Sequence, residues 1–549
     1  MNVALAPQPS IALDPITVEV IGAALSSIVE ETGEALIRAS YSTNIKERRD
    51  CSTALFNVKG ETLCQAEHIP IHLGSFIGIV PQILKQHAVE AMRPGDVFVG
   101  NDAYAGGGTH LPDIVLAEPI FVDGRMVAWT VNLAHHSDFA DRGHAHIYQE
   151  GLRIPTIRLY KAGELQKDVL DLILLNCQVP RERLSDLRAQ MAANRVGVQR
   201  FQALCGKYGT AVVLAAGEAL LDYAERKMRA GIAAMPDGTY RFEDVFDNPE
   251  IDGVLPIAVT VTIAGDEMRL HFVSPPQVRA GINMTYTALL ATTYYMVKSV
   301  VDPTILPNAG LARPLIVTAP EGTILHCKHP AAVNGRVQTC QRTADVILGA
   351  LARAVPERVS ACTNSSCCVA TFSGEMTDGT IWVYVETMGG GAGARPSKDG
   401  LDGVHVHVTN TSNLPVEALE LEYPLTLLRY ELVDGSGGAG KYRGGMGLRR
   451  VYRAEADCRV RVDVSRLRSQ SWGLLGGSPG AHGQMVPGPG VAFNRDAAEL
   501  KAGDWFEVIT PGAGGYGPPA ERERAAVARD LAESVIDAAA ARDIYGFNR

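Results

Sequence analysis

The chain reads as a mixed α/β protein, an N-terminal part that mixes helix and strand around a candidate metal site, followed by a β-rich C-terminal half and a closing helix. Three observations predict this. Apolar residues recur at helical spacing through residues 15–40. Short apolar runs, punctuated by glycine, proline and aspartate, follow. After about residue 365 alternating runs dominate and glycine becomes frequent.

The first helix is predicted from Ile16, Val18, Ile21, Leu25, Ile28, Val29, Leu36 and Ile37, which fall on one stripe. Strand-like runs then come at 53–58 (TALFNV), 96–102 (DVFVGND), 113–121 (DIVLAEPIF) and 126–136 (MVAWTVNLAHH). Residues 170–235 carry helical periodicity. Strands return at 239–246, 257–265 and 267–273, and 343–355 reads as a helix. The β-rich half is expected to hold strands at 368–375, 380–388, 403–411, 425–434, 447–455, 458–466 and 504–512, before a helix over 520–541. With 549 residues the chain exceeds one ordinary core. Units at 1–235, 236–365 and 366–549 are expected.

Composition excludes some function classes. Hydrophobic residues make up 46% and charged residues 20%, as in a globular protein that is not membrane-spanning. The net charge of −10 argues against nucleic acid or an anionic membrane as partner, since both reward clustered Lys and Arg. No apolar run reaches membrane-spanning length. The first fifteen residues lack a basic and an apolar leader region, and the ten cysteines are scattered without a C-x-x-C pair. A reduced, cytoplasmic protein is expected. Cys362, Cys367 and Cys368 cluster, and buried, inert thiols explain that cluster.

Five of the fourteen histidines lie between His110 and His146. The glycine triplet Gly106–Gly108 leads into His110-x-x-Asp113, and the run at 126–136 ends in His135-His136. Neutral imidazoles and carboxylates are the ligands of a divalent zinc, manganese or iron ion. On a regular strand His135 shares a side with Val127, Trp129, Val131 and Leu133, where an unpartnered polar ring is costly and a metal bond removes the cost. His136 then faces away, toward a supporting or substrate-facing role. His110 and Asp113 converge only if the backbone turns, which the glycine triplet and Pro112 allow; polar residues of a surface loop are the alternative. A further ligand is sought in Asp50, just before the first strand-like run, where an ion pair with its arginine neighbours is the competing explanation. Glu67, His68 and His72 stand among apolar residues and are candidates for acid–base work.

Two glycine-rich segments are decoys. Gly435–Lys441 lacks the Ser or Thr of a phosphate loop and is followed by RGGMG rather than a helix. Gly389–Ala394 also precedes no clear helix. No Gly-x-Ser-x-Gly elbow is present, so a serine hydrolase has no support.

The segments IKERRDCSTALFN, AEHIPIHLGS, GDVFVGNDAYAGGGTHLPDI, VNLAHHSDF, RVQTCQRTADVILGAL, GLDGVHVHVTNTSNLPVEALE and ITPGAGGYG, which span nearly the whole chain, resemble the hydantoinase B/oxoprolinase family. The resemblance implies an ATP-dependent reaction on a cyclic amide such as a hydantoin, 5-oxoproline or a lactam or, in the carboxylase branch, on a ketone. It implies a hetero-oligomer in which an A-type partner subunit with an actin-like kinase fold carries ATP and Mg. It implies a metal held by His110, Asp113 and His135 with an upstream carboxylate, Asp50 or, failing that, Glu47. The chain length favours the hydrolase branch. On that reading the partner phosphorylates the amide and this chain hydrolyses it, with Glu67, His72 or His136 serving as the acid–base group. The alternatives are a subunit of an ATP-dependent ketone carboxylase and a non-catalytic assembly subunit.

Overall fold

The computed structural model describes residues 13–139 and 141–548. The leader reading falls on residues 1–12, outside the described residues. Helix α1 (Pro15–Ala39) starts where Asp14 accepts a hydrogen bond from the Thr17 N–H at 3.0 Å and Pro15 sets the first turn. Its buried stripe is Ile21, Leu25, Ile28, Val29, Leu36 and Ile37. The short helix α2 (Thr43–Lys46) leads into strands β1 (Cys51–Asn57) and β2 (Thr62–Gln65), then helix α3 (Leu73–Gln86). Strands β3 (Val97–Gly100), β4 (Asp113–Val122), β5 (Arg125–His135), β6 (Ile157–Lys161) and β7 (Glu164–Leu165) complete an antiparallel sheet of order β2-β1-β5-β4-β3-β6-β7.

Helices α4 (Lys167–Leu175), α5 (Pro180–Tyr208) and α6 (Thr210–Ala233) follow. Gly209, at φ 85°, separates α5 from α6. One face of the sheet rests on α1 and α5, where the Asn132 amide donates to the Gln190 carbonyl at 2.7 Å and to Asn194 Oδ1 at 2.8 Å. The other face packs Phe56, Trp129, Val131 and Leu133 against Phe76, Ile79 and Ile83 of α3. Leu73, Phe76, Ile77, Val80 and Ile83 mark α3 at helical spacing although Gly74, Gly78 and Pro81 interrupt it, and this helix is missing from the sequence-based expectations.

Strands β8 (Gly238–Phe246), β9 (Leu255–Ala264), β10 (Glu267–Val273) and β11 (Leu315–Thr318) form a second sheet, with β11 parallel to β10. Two buried helices cover it, α7 (Tyr286–Val301) and α8 (Arg336–Leu351). The helix expected to start at Thr343 starts at Arg336. Its first two turns are polar but buried, so no apolar stripe marks them. Among the described residues no single helix is long and apolar enough to cross a membrane.

The remaining strands are β12 (Cys368–Glu375), β13 (Ile381–Met388), β14 (Leu425–Leu432), β15 (Leu448–Ala454), β16 (Cys458–Asp463), β17 (Gln484–Pro487), β18 (Ala497–Leu500) and β19 (Trp505–Ile509), with helix α9 (Val416–Glu422) before β14. They make two four-stranded sheets, β13-β12-β16-β18 and β14-β15-β19-β17. The sheets meet face to face as a sandwich whose core joins Phe372 and Tyr384 to Tyr452 and Phe506.

Two expectations for this half fail. Residues 403–411 are not a strand. Gly403 and His407 take φ values of 60° and 47°, and only Val404 makes a ladder contact, with Gly390. The closing helix is broken into α10 (Arg524–Ala532) and α11 (Ala538–Asp543), with Ser534 at φ 61° between them. There the Val535 carbonyl accepts from the Gly435 N–H, so tertiary contact outweighs helix propensity.

The segment Gly435–Lys441 opens no helix. It lies backbone-to-backbone against other extended glycine segments; a Cβ on Gly512 would stand 1.8 Å from the Ser436 carbonyl oxygen. Cys362, Cys367 and Cys368 are buried, and burial pushes the Cys362 thiol up to about 12.

A candidate metal centre

The glycine triplet does its work through close approach. Gly106 holds φ 80°, and a Cβ there would meet the Gly78 carbonyl oxygen of α3 at 2.5 Å. The Gly107 N–H donates to the Asp102 carbonyl at 2.9 Å, and the buried Asn101 amide donates to the Leu111 carbonyl at 2.9 Å. The loop so compressed turns His110 back onto the start of β4, and His110 Nε2 lies 3.0 Å from Asp113 Oδ1. The β4–β5 ladder sets Asp113 directly opposite His135. The His110 and His135 rings stand 5.0 Å apart, centre to centre. One ligand atom from each of His110, Asp113 and His135 lies within 4.8 Å of the other two.

The hydrogen bonds define the electrostatics. Arg336 Nη2 donates to Asp113 Oδ2 at 3.0 Å, and Arg336 Nε donates to Thr109. Burial raises the Asp113 carboxyl, but His110, when its ring is protonated, and the permanently charged Arg336 guanidinium outweigh it and hold the group well below the usual carboxylate range. His110 Nδ1 sits 3.0 Å from the Asn334 carbonyl oxygen. A carbonyl only accepts, so Nδ1 carries the proton and Nε2 a lone pair. Burial, reinforced by Arg336, pushes the His110 imidazolium down to about 4, so the ring is neutral at pH 7. A lone pair on Nε2 and a carboxylate oxygen therefore face each other at 3.0 Å, and neither has a hydrogen-bond partner. Such a pair repels unless a cation lies between its members. The donor set fits a divalent ion such as zinc, manganese or iron.

His72 and Asp50 flank this group. His72 Nδ1 is 2.8 Å from Ser52 Oγ, and its Nε2 is 3.6 Å from Asp50 and 3.8 Å from Asp113. Asp50 is buried and borders the cavity, while Arg49 pairs instead with Glu34. Glu47, the fallback ligand, is exposed.

Two candidates for acid–base work are elsewhere. Glu67 is exposed, and its backbone N–H caps Glu30 at the surface. His136 points to the opposite side of the sheet from His135, into α5, with Nε2 3.1 Å from Gln190 Oε1. Strand alternation explains the separation from His135.

The cavity beside the candidate ligands measures about 110 Å³. Ile69, Ile71, Val337, Val369, Val385 and Val462 contribute apolar wall, and Thr371, Thr387, Thr409 and Thr411 contribute hydroxyl groups. The same wall includes His144, Glu250, Arg461, Asp463 and Asp496. Sequence reasoning missed this second polar group and also Asn334 and Arg336. Spacing along the chain links none of them; tertiary contact alone assembles them.

The Hydantoinase B/oxoprolinase family model matches residues 14–519, and the chain belongs to that family. An uncharacterized protein of Methanocaldococcus jannaschii is 39% identical over 542 residues, covering 95% of this chain and 94% of that one. The caprolactamase subunit beta of Pseudomonas jessenii is 32% identical over 565 residues, 97% of this chain and 96% of its own length. The crystal structure of an ATP-dependent caprolactamase from the same organism superimposes with a TM-score of 0.88 at 29% identity, covering 98% of this chain and 96% of that one. A nucleotide-free acetone carboxylase shares the fold, with a TM-score of 0.89 at 21% identity over 97% of this chain and 79% of that one.

Proposed function

We propose that this chain is the metal-dependent B-type subunit of an ATP-dependent cyclic-amide hydrolase, acting on a ring that an A-type partner subunit has phosphorylated. One observation carries the reading: the buried pair of His110 Nε2 and Asp113 Oδ1, both without a proton between them, with His135 beside them. The likeness to a caprolactamase subunit supports a lactam or hydantoin substrate. The likeness to acetone carboxylase carries the fold alone.

His110, Asp113 and His135 would hold the ion, with Asp50 the nearest further carboxylate at the cavity wall. When bound, such an ion lowers the pKa of water toward roughly 7 and polarises a carbonyl. The protein's own groups do the rest. Asn334 fixes the His110 tautomer, and Arg336 fixes the Asp113 carboxylate. His72, neutral and wedged between Asp50 and Asp113, is placed to take the proton of an attacking water at Nε2. The valine and isoleucine walls keep bulk water from the reacting carbon.

The test is metal analysis and ATP-coupled ring opening with the partner subunit, in wild type and in Asp113→Ala and His135→Ala variants. Each variant is expected to lose the metal and at least 100-fold in ring opening. Retention of both properties refutes the assignment. Full ring opening without ATP or partner excludes the coupled scheme, and bicarbonate-dependent turnover of a ketone moves the chain to the carboxylase branch.

A further inference from the structure

The cavity wall also gathers three carboxyl groups around a single guanidinium. Arg461 gives Nε and Nη2 to Asp496, at 2.9 and 2.6 Å, and Nη1 to the Arg142 carbonyl at 2.7 Å. Glu250 lies 3.8 Å from the same guanidinium, 3.1 Å from His144 Nδ1, and accepts the Gly281 N–H at 3.0 Å. Asp463 has no cationic partner among the described residues. Its Oδ1 accepts from the neutral Asn248 amide. A carboxyl group that borders a cavity beside two other acids, while their one shared cation is spent on Asp496, keeps its proton. Burial, with Glu250 and Asp496 close by, pushes the Asp463 carboxyl well above its ordinary range.

Three consecutive residues join this acid to the candidate metal centre. The Asn334 carbonyl faces His110 Nδ1, and its side-chain amide lies 2.9 Å from His144 Nε2. Arg336 holds Asp113. Gly335, between them, lies against Asp463: a Cβ there would stand 3.4 Å from Asp463 Oδ2. Asp463 thus faces the same small cavity as His110 and His135 without touching either.

Resting on the cyclic-amide reading above, we propose that Asp463 delivers the proton that the ring nitrogen needs as the C–N bond breaks. The chemistry requires such a donor. Water adds to the carbon of the O-phosphorylated amide. From that tetrahedral adduct phosphate is the better leaving group, and its departure restores the amide and wastes the ATP. Productive cleavage sends the C–N electron pair to nitrogen. Asp463 hands its proton to that nitrogen and becomes a carboxylate; the proton that His72 takes from the attacking water leaves to solvent, and solvent reprotonates Asp463 before the next turnover. The products are an amine and an acyl phosphate, which a second water converts to carboxylate and inorganic phosphate. Protonating nitrogen is what couples ATP use to ring opening.

The experiment assays wild type and Asp463→Asn with the ATP-hydrolysing partner on 2-pyrrolidone, hydantoin and 5-oxoproline, counting phosphate released and rings opened. The Asn variant is expected to open rings roughly 100-fold more slowly while phosphate release persists, so that ATP used per ring opened rises at least tenfold. Its metal content stays at the wild-type level, and Asp463→Glu recovers part of the coupling. Unchanged coupling in the Asn variant overturns the proposal, as does a parallel fall of both activities, which marks a binding or structural role. Should the Asn variant not fold, the wild-type pH profile decides. The ATP-to-ring ratio is expected to rise with pH as the acid ionises among Glu250, Asp496, His144 and Arg461, and a ratio that stays flat over the whole pH range in which the enzyme is stable overturns the proposal. A wild type that opens no ring refutes the cyclic-amide reading itself, before any variant is made.

Discussion

Glu150 shows how one buried carboxyl holds a functional loop. Its Oε1 accepts the N–H groups of Val333 and Asn334 at 2.8 and 2.7 Å, and Oε2 has no partner. That pins the residue whose carbonyl faces His110. Burial pushes the Glu150 carboxyl up to about 7, with His144 opposing the shift. The folded chain therefore keeps a proton that the unfolded chain has lost above its ordinary carboxylate pKa. The associated stability is full at acid pH and is lost as pH rises through about 7. Glu150→Gln retains the accepting oxygen and never ionises. Thermal unfolding is expected to favour the Gln variant increasingly between about pH 5 and 8, by up to about 3 kcal/mol. A gap that does not change with pH shows the carboxyl to be ordinary.

At the scale of elements, helix α3 and the glycine triplet form one unit. A Cβ on Gly78 would stand 2.5 Å from Gly106 Cα, so backbone meets backbone with no side chain able to yield. Gly78→Ala is expected to destabilise by about 1–3 kcal/mol or more and to weaken metal binding, because the displaced loop carries His110. Gly206, exposed near the end of α5 with nothing within 4 Å of its Cβ position, is the contrast. Gly206→Ala is expected to stabilise by about 0.5 kcal/mol and leave metal affinity unchanged. Melting temperatures and metal titrations of the two variants check both statements.

Across the whole molecule, the cavity closes only because the N-terminal sheet meets the C-terminal sandwich. Arg48, fully buried, donates to Asn44 in its own segment and to the Val385 carbonyl and Thr387 hydroxyl on β13. Its carbonyl accepts the Ser412 N–H, and the Val408 carbonyl accepts the Ile71 N–H. Asn44 in turn donates to the His135 carbonyl at 2.8 Å. Arg48→Ala strands these acceptors and leaves a void, at a cost of roughly 3 kcal/mol. Denaturant unfolding is expected to shift accordingly, with metal affinity falling because the His135 end of β5 loses its backing. Unchanged unfolding and metal affinity in the variant contradict this account of the contact.

Helix α1 and strands β1, β4 and β5 were legible in the chain because each buries one regular stripe or run against one neighbour, so local period matches tertiary burial. The opposite aims of His135 and His136 followed from strand alternation. Helix α7 passed unread because it is apolar on most sides and rich in Tyr, Thr and Val, so no single face marks it. Residues 403–411 alternate like a strand, yet the backbone turns left-handed at Gly403, against Leu448, and at His407, whose ring pairs with Asp345 instead. The tautomer of His110, the Arg336 clamp and the placing of Asp463 beside Glu250 all depend on residues hundreds of positions apart. The sequence by itself determined the periods and the chemistry on offer. Only the tertiary structure decided which of those groups share a cavity, because long-range packing, not spacing along the chain, sets which charges lose their water and which find a partner.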